Sequence, residues 1–328
     1  MSSLLGVNIG GTKSAIVLGQ RMGEETITII DKITFPTDHE KGSKYTVDKI
    51  LFLIEELLDK HSTLIGSINA VGVICGGPLD SRLGIIKSPP NLIGWDNVPI
   101  VKRIEDRFGI EVRLQNDANA CAIAEWRYGA ARGCRDIVFL TFGTGMGAGL
   151  ILGGKLYSGA NNMAGEVGHV RLSTNGPVGY GKAGSFEGFC SGGGLAQLAR
   201  MMVLERFQMG QKVGFCTGME QLPLITAKSI AEAADEGDPL AREIYVKSGE
   251  YLGKGISMII DVLNPEIIVI GGIFAKSTHL LWPAAEVVIK RESLSHSLNS
   301  CRIVPSSLGD KIEDYAALSV AMEAKYDE

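Results

Sequence analysis

The chain has 328 residues, 45% of them hydrophobic, enough for a sizeable core in one large or two medium domains. A formal net charge of −5 argues against a general nucleic-acid binder, which needs a basic face to meet phosphates; no apolar run reaches membrane-spanning length, and the opening MSSLLGVNIGGTK lacks the pattern of a cleavable leader. The six cysteines (Cys75, Cys121, Cys134, Cys190, Cys216 and Cys301) are scattered with no CxxC pair, so reduced thiols, a cytoplasmic location, and neither a nucleic-acid nor a membrane partner are expected.

Apolar β-branched runs alternate with helical patterns, which predicts an α/β fold. The run 4–8 breaks at Gly10-Gly11 and resumes over 14–18, a pair of strands around a glycine turn. Val47, Ile50, Leu51, Ile54, Leu57 and Leu58 share one face of a helix over about 45–60. A strand over 70–74 ends in the turn Gly76-Gly77-Pro78, and KSPPNLIGW at 87–95, with its two prolines, is a loop. A short strand at 112–114 leads to Asn116-Asp117, after which DANACAIAEWRYGA has the alanine content of a helix. Then the opening pattern returns: strand 136–141, the glycine turn FGTGMGAG, and a second strand over 150–152. A helical stretch of about 238–262 precedes a strand at 266–270 that runs into Gly271-Gly272, and the tail, about 313–326, is helical again. Strand, glycine turn, strand near both residue 10 and residue 145 predicts an internal duplication, two similar halves facing each other across a central cleft.

Backbone N–H groups approach a phosphate closely only where side chains are absent, so glycine turns after strands make anion cradles. Gly143, Gly145, Gly147 and Gly149 form such a turn, with the Thr144 hydroxyl beside them. Residues 143–148 also match a dinucleotide fingerprint, with Glu166 at about the right distance, but that fingerprint opens a helix and here a strand follows. GPVGYGKA at 176–183 falls one residue short of a Walker A loop, lacks its final Ser/Thr and follows no apolar strand. A tight hairpin that holds nothing is the plain alternative for the turn at 143–149; two such turns, joined by a third at Gly271-Gly272, weigh against it.

Asn116-Asp117 lies between a strand end and a helix start, where either residue could simply cap the helix. Asn-Asp-Ala-Asn supplies more polar groups than a cap needs, and a carboxylate there could accept a hydroxyl proton during phosphoryl transfer. Glu166 and His169, in AGEVGH, and Glu187, in SFEGFCSGGG, are polar side chains on glycine-rich loops, placed either for solvent or for sugar hydroxyls.

Taken together, IGGTK at 9–13, GGPLD at 76–80, PNLIGW at 90–95, NDAN at 116–119, TFGTGMGAG at 141–149, GEVGH at 165–169 and the late Gly271-Gly272 resemble the ROK family of repressors, open reading frames and sugar kinases, in that family's order and over nearly the whole chain. The resemblance implies the actin-like, hexokinase-like fold of two ribonuclease-H-like domains flanking a cleft. The small domain would span 1–115, completed by a C-terminal helix at about 313–328, and the large domain 116–312, with sugar and nucleotide sites. It implies that Asp117 is the catalytic base on a hexose hydroxyl, typically O6. Gly77, Asn91, Asn116, Glu166, His169 and Glu187 would bind the sugar with Asp117. Gly10, Gly11, Thr12 and Lys13 would form the first phosphate loop, Gly143, Thr144 and Gly145 the second, and Gly271 and Gly272 the turn beside the adenosine. ATP and Mg²⁺ are the implied cofactors, the metal held mostly by phosphate and water.

Two departures from the family pattern stand out. Asn8 replaces the aspartate that in many members helps hold the magnesium shell, keeping an acceptor oxygen but losing the charge. The three cysteines that with the histidine bind zinc in many relatives fall on Val178, Tyr180 and Ser185, so only His169 remains and no zinc site is expected. The loop at 174–186 would then be held by packing. Phosphorylation of glucose to glucose 6-phosphate is the leading expectation, with N-acetylmannosamine, N-acetylglucosamine or fructose as other acceptors. A catalytically silent sugar-binding or regulatory role is the alternative of another class. With the first strand read from Leu4, the helix-turn-helix that precedes it in ROK repressors is not expected, and a homodimer or homotetramer is expected.

Overall fold

The structure, a computed structural model, describes residues 2–23, 26–38 and 40–323. In chain order the first elements are β1 (Ser2–Ile9), β2 (Lys13–Arg21), β3 (Ile27–Pro36), α1 (Gly42–Lys60) and β4 (Ile68–Cys75). The short pair β5 (Leu79–Asp80) and β6 (Ile85–Ile86) follows, then α2 (Ile100–Phe108), β7 (Glu111–Asn116) and α3 (Asp117–Tyr128). Next come β8 (Ile137–Leu140), β9 (Ala148–Leu152), β10 (Lys155–Leu156), β11 (Val178–Gly179), β12 (Lys182–Ala183), α4 (Phe186–Phe189) and α5 (Gly192–Gln208). The remainder is α6 (Ala227–Asp235), α7 (Pro239–Leu263), β13 (Ile267–Ile270), α8 (Ile273–Glu292, kinked at Ser277), α9 (Ser295–Ser300), β14 (Arg302–Pro305) and α10 (Ile312–Val320). The chain divides into two compact units, one of residues 1–133, 149–164 and 310–328, the other of 134–148 and 165–309.

In the first unit, the sheet runs β3-β2-β1-β4-β7, with β1 antiparallel to β2 and parallel to β4, and β4 parallel to β7. In the middle strands Leu5, Val7, Val71 and Val73 are buried on one face and Leu4, Ala70 and Ile74 on the other, so both faces of the sheet are covered and these strands read as continuous apolar runs. One face packs with α1 through Val47, Ile50, Ile54 and Leu57, in a core that reaches α2 and Trp95. The start of α10 is fixed by Lys32, whose ammonium lies 2.6 Å from the buried Asp314 carboxylate. The middle of that helix lies flat on the sheet. Gly6 and Gly72 stand opposite one another in the β1–β4 register, and a Cβ on either would strike Ala317. These two residues make a bare patch on which the helix backbone rests.

The register has a second consequence. Ile9 pairs with Cys75, and Cys75 with Asn116, so the carboxyl ends of β1, β4 and β7 stop in one row. Ligands of parallel α/β sheets bind outside such ends.

The second unit repeats the parallel core: β13 lies between β8 and β14, with Ile270 opposite both Leu140 and Pro305. All of β8 and β13 is buried. α7 starts cleanly because the Asp238 side chain caps the Ala241 amide and Pro239 occupies the first turn; it ends at Asn264, in the left-handed conformation (φ 47°). In each unit a parallel trio thus leads from its carboxyl ends into glycine turns, at Gly10 and Gly76 in one, at Gly143 and Gly271 in the other.

The α/β elements read from the sequence are present; β1, β2, α1, β4, β7 and β9 are longer than expected by a few residues, while α3, β8 and β13 are slightly shorter. β3, the short strands β5, β6 and β10–β12, α2, α4, α6, α8, α9 and β14 have no counterpart in that reading. The tail helix ends at Val320; the expected continuation to about 326 or 328 falls partly on 324–328, outside the described residues. Among the described residues no helix is long and apolar enough to cross a membrane. If α10 depends on the glycine patch, Gly72→Val forces it off the sheet: thermal and urea unfolding should show a loss on the scale of overpacked cores, about 1–3 kcal/mol, whereas Gly66→Ala, where a Cβ meets open space, should cost far less.

Candidate active site

Asn116 and Asp117 sit where β7 passes into α3, and the structure separates their work. The Asn116 side-chain oxygen accepts from the amides of Ala118 and Asn119, at 2.9 and 3.3 Å, and so serves as the helix cap. Asp117 gives only Oδ1 to the Ala118 amide (2.8 Å). Its Oδ2 looks toward the Gly76 turn, 3.8 Å from where a Cβ would stand, and Asn116 Nδ2 stands in the same way beside Gly77. The Asp117 side chain is exposed by accessible area, and that is what bears on a ligand's approach. Enough protein still surrounds it that lost hydration, with a smaller push from the Glu313 charge, raises its carboxyl above the ordinary range; the Ala118 amide opposes this. Asn119 is buried and gives its side-chain amide to Gln115 Oε1 (3.1 Å), a structural role.

The neighbours of this carboxylate come from the same row of strand ends. Asn8, near the end of β1, donates from Nδ2 to Glu313 Oε2 at 2.7 Å, and Glu313 lies in the first turn of α10. Two residues further along, the glycine turn is anchored by Thr37, whose hydroxyl donates to the Gly10 carbonyl (2.7 Å) and whose amide donates to the Thr12 carbonyl (2.9 Å). Thr12 and Lys13 are exposed. Gly11 lies so close to the loop carrying Asn91 that a Cβ would fall 2.8 Å from the Asn91 carbonyl oxygen, which is why glycine is needed there. Leu92 and Trp95, both buried, anchor that loop and leave Asn91 exposed beside the turn. Within the first unit, then, Asn8, Gly10–Lys13, Gly77, Asn91, Asn116 and Asp117 stand along one edge of one sheet.

The second unit gathers its own set. Gly143–Gly145 closes as a tight turn, the Gly143 amide donating to the Gly145 carbonyl (3.1 Å) and the Thr141 amide to that of Gly147 (2.9 Å). Two helices begin against it. The Gly192 amide at the start of α5 donates to the Gly143 carbonyl (2.8 Å), and the Ile273 amide at the start of α8 donates to the Phe142 carbonyl (2.6 Å), so Gly271-Gly272 abuts the same turn. Aligned peptide dipoles at two helix starts favour negative charge there. Gly192 and Gly193 were not singled out from the sequence; the run of three glycines opening a helix is the signal that could have done so.

Glu166, His169 and Glu187 are also in the second unit, with different surroundings. Glu166 and His169 are exposed on the short turn 166–169, whose Gly165 carbonyl accepts from the Ala148 amide (2.7 Å). Glu187 Oε2 accepts from the Met146 amide at 3.0 Å, so this carboxylate braces the glycine turn. The loop at 174–186 is tied by hydrogen bonds to the segment before it: Gly184 accepts from the Leu172 and Ser173 amides, Arg171 donates to the Ala183 carbonyl, and Lys182 to that of His169. Val178 and Tyr180 are exposed there, Ser185 is buried and caps α4, and the Tyr180 ring meets His169 edge-on at 6.0 Å. Among the described residues no group of three or more His, Cys, Asp or Glu side chains is placed to hold a metal ion. The donors around Asp117 and Glu313 are hard oxygens, the kind magnesium takes, and a pair of carboxylates suits an ion that keeps most of its shell as phosphate and water.

The ROK family model matches residues 4–322. A glucokinase from Halalkalibacterium halodurans is 31% identical over 275 residues, 83% of this chain and 81% of the glucokinase. An N-acetylglucosamine repressor of Escherichia coli O157:H7 is 28% identical over 306 residues, 90% of this chain and 73% of the repressor. Among solved structures, a ROK family glucokinase from Streptomyces griseus in complex with glucose and AMPPNP superposes with a TM-score of 0.79 at 27% identity, covering 98% of this chain and 100% of that one.

The raised Asp117 carboxyl makes a prediction about stability. A group whose value is raised in the folded state contributes stability that is complete below 3.8, its ordinary value, and lost as pH rises through the raised one. At neutral pH the ionised side chain is a cost to the fold, so Asp117→Asn should melt no lower than wild type at pH 7.5, and the difference should shrink toward pH 4. A clear fall in melting temperature at pH 7.5 would give Asp117 a structural role instead.

Proposed function

The chain belongs to the ROK family, and we propose that it is an ATP-dependent sugar kinase whose acceptor is a hexose hydroxyl, with glucose to glucose 6-phosphate as the first reading. The observation that carries this is the division of labour at the end of β7: Asn116 caps α3, and Asp117, exposed at a row of parallel strand ends, keeps one oxygen for a ligand. A carboxylate so held can take the proton of a sugar hydroxyl while that oxygen forms its bond to the γ-phosphorus and the bond from the γ-phosphorus to the departing ADP oxygen breaks.

In this reading Asn91, Asn116 and the backbone at Gly77 orient the sugar from the first unit, with Glu166 and His169 contributing from the second. Glu187 acts at one remove, by bracing the turn at 143–145 through Met146. Gly10–Lys13 and Gly143–Gly145 receive the phosphates, the latter backed by the starts of α5 and α8, and Gly271-Gly272 lies beside the adenosine. Magnesium would arrive with ATP and lie near Asn8, where it would offset phosphate charge. The domains implied by the family are 1–115 with the C-terminal helix and 116–312, and exclusion of water from the reacting groups would let the hexose compete as acceptor.

Glucokinases among the relatives support glucose; N-acetylmannosamine, N-acetylglucosamine and fructose are the other acceptors of the same chemistry. One observation favours a silent or regulatory protein instead: Asn8 lacks the charge common at its position, and repressors are among the relatives. The exposed Asp117 weighs against it. Four of the six free cysteines are buried, which suits a reducing cytoplasm, and exposed Met258, Val262 and Val287 on α7 and α8 offer apolar surface for a homodimer or homotetramer.

The test is ATP-dependent phosphorylation of glucose, mannose, fructose, N-acetylmannosamine and N-acetylglucosamine. Turnover is expected on at least one, and Asp117→Ala should lower kcat by about 10²–10⁴ with sugar affinity changed less. Sugar binding without turnover on any of the five would favour the silent reading, and full activity in Asp117→Ala would show that the base is another group.

A further inference from the structure

We infer that Glu313 is the carboxylate by which this chain positions the hydrated magnesium ion of the nucleotide, with Asn8 as the amide that aims it. The inference rests on the kinase reading above and adds to it a residue that lies 305 positions from its partner in the chain.

Glu313 stands in the first turn of α10, where the helix start favours a negative side chain. It is exposed, so the carboxylate is open to a ligand rather than sealed in the core. Its neighbour Asp314 is spent on a structural pair with Lys32, whereas Glu313 has no such partner among the described residues. Among the described residues its hydrogen bond comes from Asn8 Nδ2, a neutral donor, and no Lys, Arg or His pairs with it. Its charge reaches Asp117. Asn8, which aims it, precedes the Gly10–Lys13 turn by a single residue.

An uncompensated carboxylate in that position presents a difficulty for a phosphate site unless a cation comes with the phosphate. The polyanionic end of ATP would meet two negative side chains, Glu313 and Asp117, and each would oppose its approach. A divalent ion with oxygen ligands reverses the sign of both interactions, and magnesium arrives with ATP still carrying several waters that a carboxylate can accept from. The Asn8 amide is suited to the supporting role. It donates to Oε2, fixes the carboxylate's orientation, and leaves the other oxygen available; partners of this outer kind change metal affinity by about 10–100-fold when removed. A purely structural explanation, a favourable charge at a helix start, accounts for an acidic residue in the first turn. It does not account for the reach across to β1.

The experiment measures metal binding directly. Mn²⁺ is titrated into the protein with AMPPNP, the bound metal is read from water-proton relaxation enhancement, and hexose phosphorylation is assayed separately on the same wild-type preparation. Glu313→Gln is expected to weaken Mn²⁺ binding about 10-fold or more, with metal-free AMPPNP bound no more weakly than by wild type, because a repelling charge is gone, and with melting temperature unchanged. Asn8→Asp in the Glu313→Gln background returns a carboxylate next to the lost one and should recover Mn²⁺ affinity to within about threefold. Asn8→Asp alone should bind Mn²⁺ at least as tightly as wild type, since the ion relieves a new pair of adjacent charges. Unchanged Mn²⁺ affinity in Glu313→Gln, no recovery in the double variant, or wild-type protein whose AMPPNP binding ignores Mn²⁺ would each overturn the assignment. Wild-type phosphorylation with unaltered metal binding in Glu313→Gln would sink this inference and leave the kinase reading standing. Metal binding that weakens in Glu313→Gln, in a protein that phosphorylates no hexose, would do the reverse.

Discussion

The site depends on one constraint, the register of three parallel strands. Because Ile9, Cys75 and Asn116 lie in a single row, the chain leaves β1, β4 and β7 at the same edge, and the segment after each strand is delivered to one place. Those three segments are a glycine turn, a glycine–proline turn and the start of α3 with its Asn116-Asp117 pair. A slip of one residue in any strand would turn its side chains to the other face and move its exit away from the others. The burial of β1 and β4 on both faces makes such a slip expensive, so the core that stabilises the sheet also fixes the position of the carboxylate.

The same sheet explains how a residue from the far end of the chain reaches that edge. Gly6 and Gly72 leave a flat patch, α10 settles on it, and the Lys32–Asp314 pair sets the helix start. Glu313 then arrives beside Asn8. The second unit uses different means toward a similar end: a glycine turn backed by two helix starts, braced by Glu187 through the Met146 amide. Polar side chains in both units therefore divide between those that hold backbone in place, such as Asn116, Thr37 and Glu187, and those left open, such as Asp117, Asn91 and His169.

Much of this was legible in the sequence, because it is local. A glycine turn after an apolar run, a helix opened by Asn-Asp, and a helical face built from Val47 to Leu58 each declare themselves within about fifteen residues. The duplication was legible for the same reason. The features that stayed hidden involve distant partners. Nothing near Glu313 points to Asn8, and nothing near Glu187 points to an amide 41 residues earlier. Helix α8 is interrupted by a kink at Ser277 and carries Pro283, so its pattern is broken where a periodicity would be sought. The loop at 174–186 looked as though packing must hold it, and the hydrogen bonds that tie it to residues 169–173, at Gly184, Ala183 and Lys182, could not be read from residue types.

The central claim is that the Asp117 carboxylate and a hexose hydroxyl share a hydrogen bond in the reacting complex. A crystal structure of the protein with glucose and AMPPNP measures this directly. The account predicts a sugar hydroxyl oxygen within about 2.6–3.2 Å of Asp117 Oδ2, with Oδ1 still on the Ala118 amide. A bound sugar whose hydroxyls all lie out of reach of that oxygen, or an Asp117 turned away to pair with a cation, would contradict it.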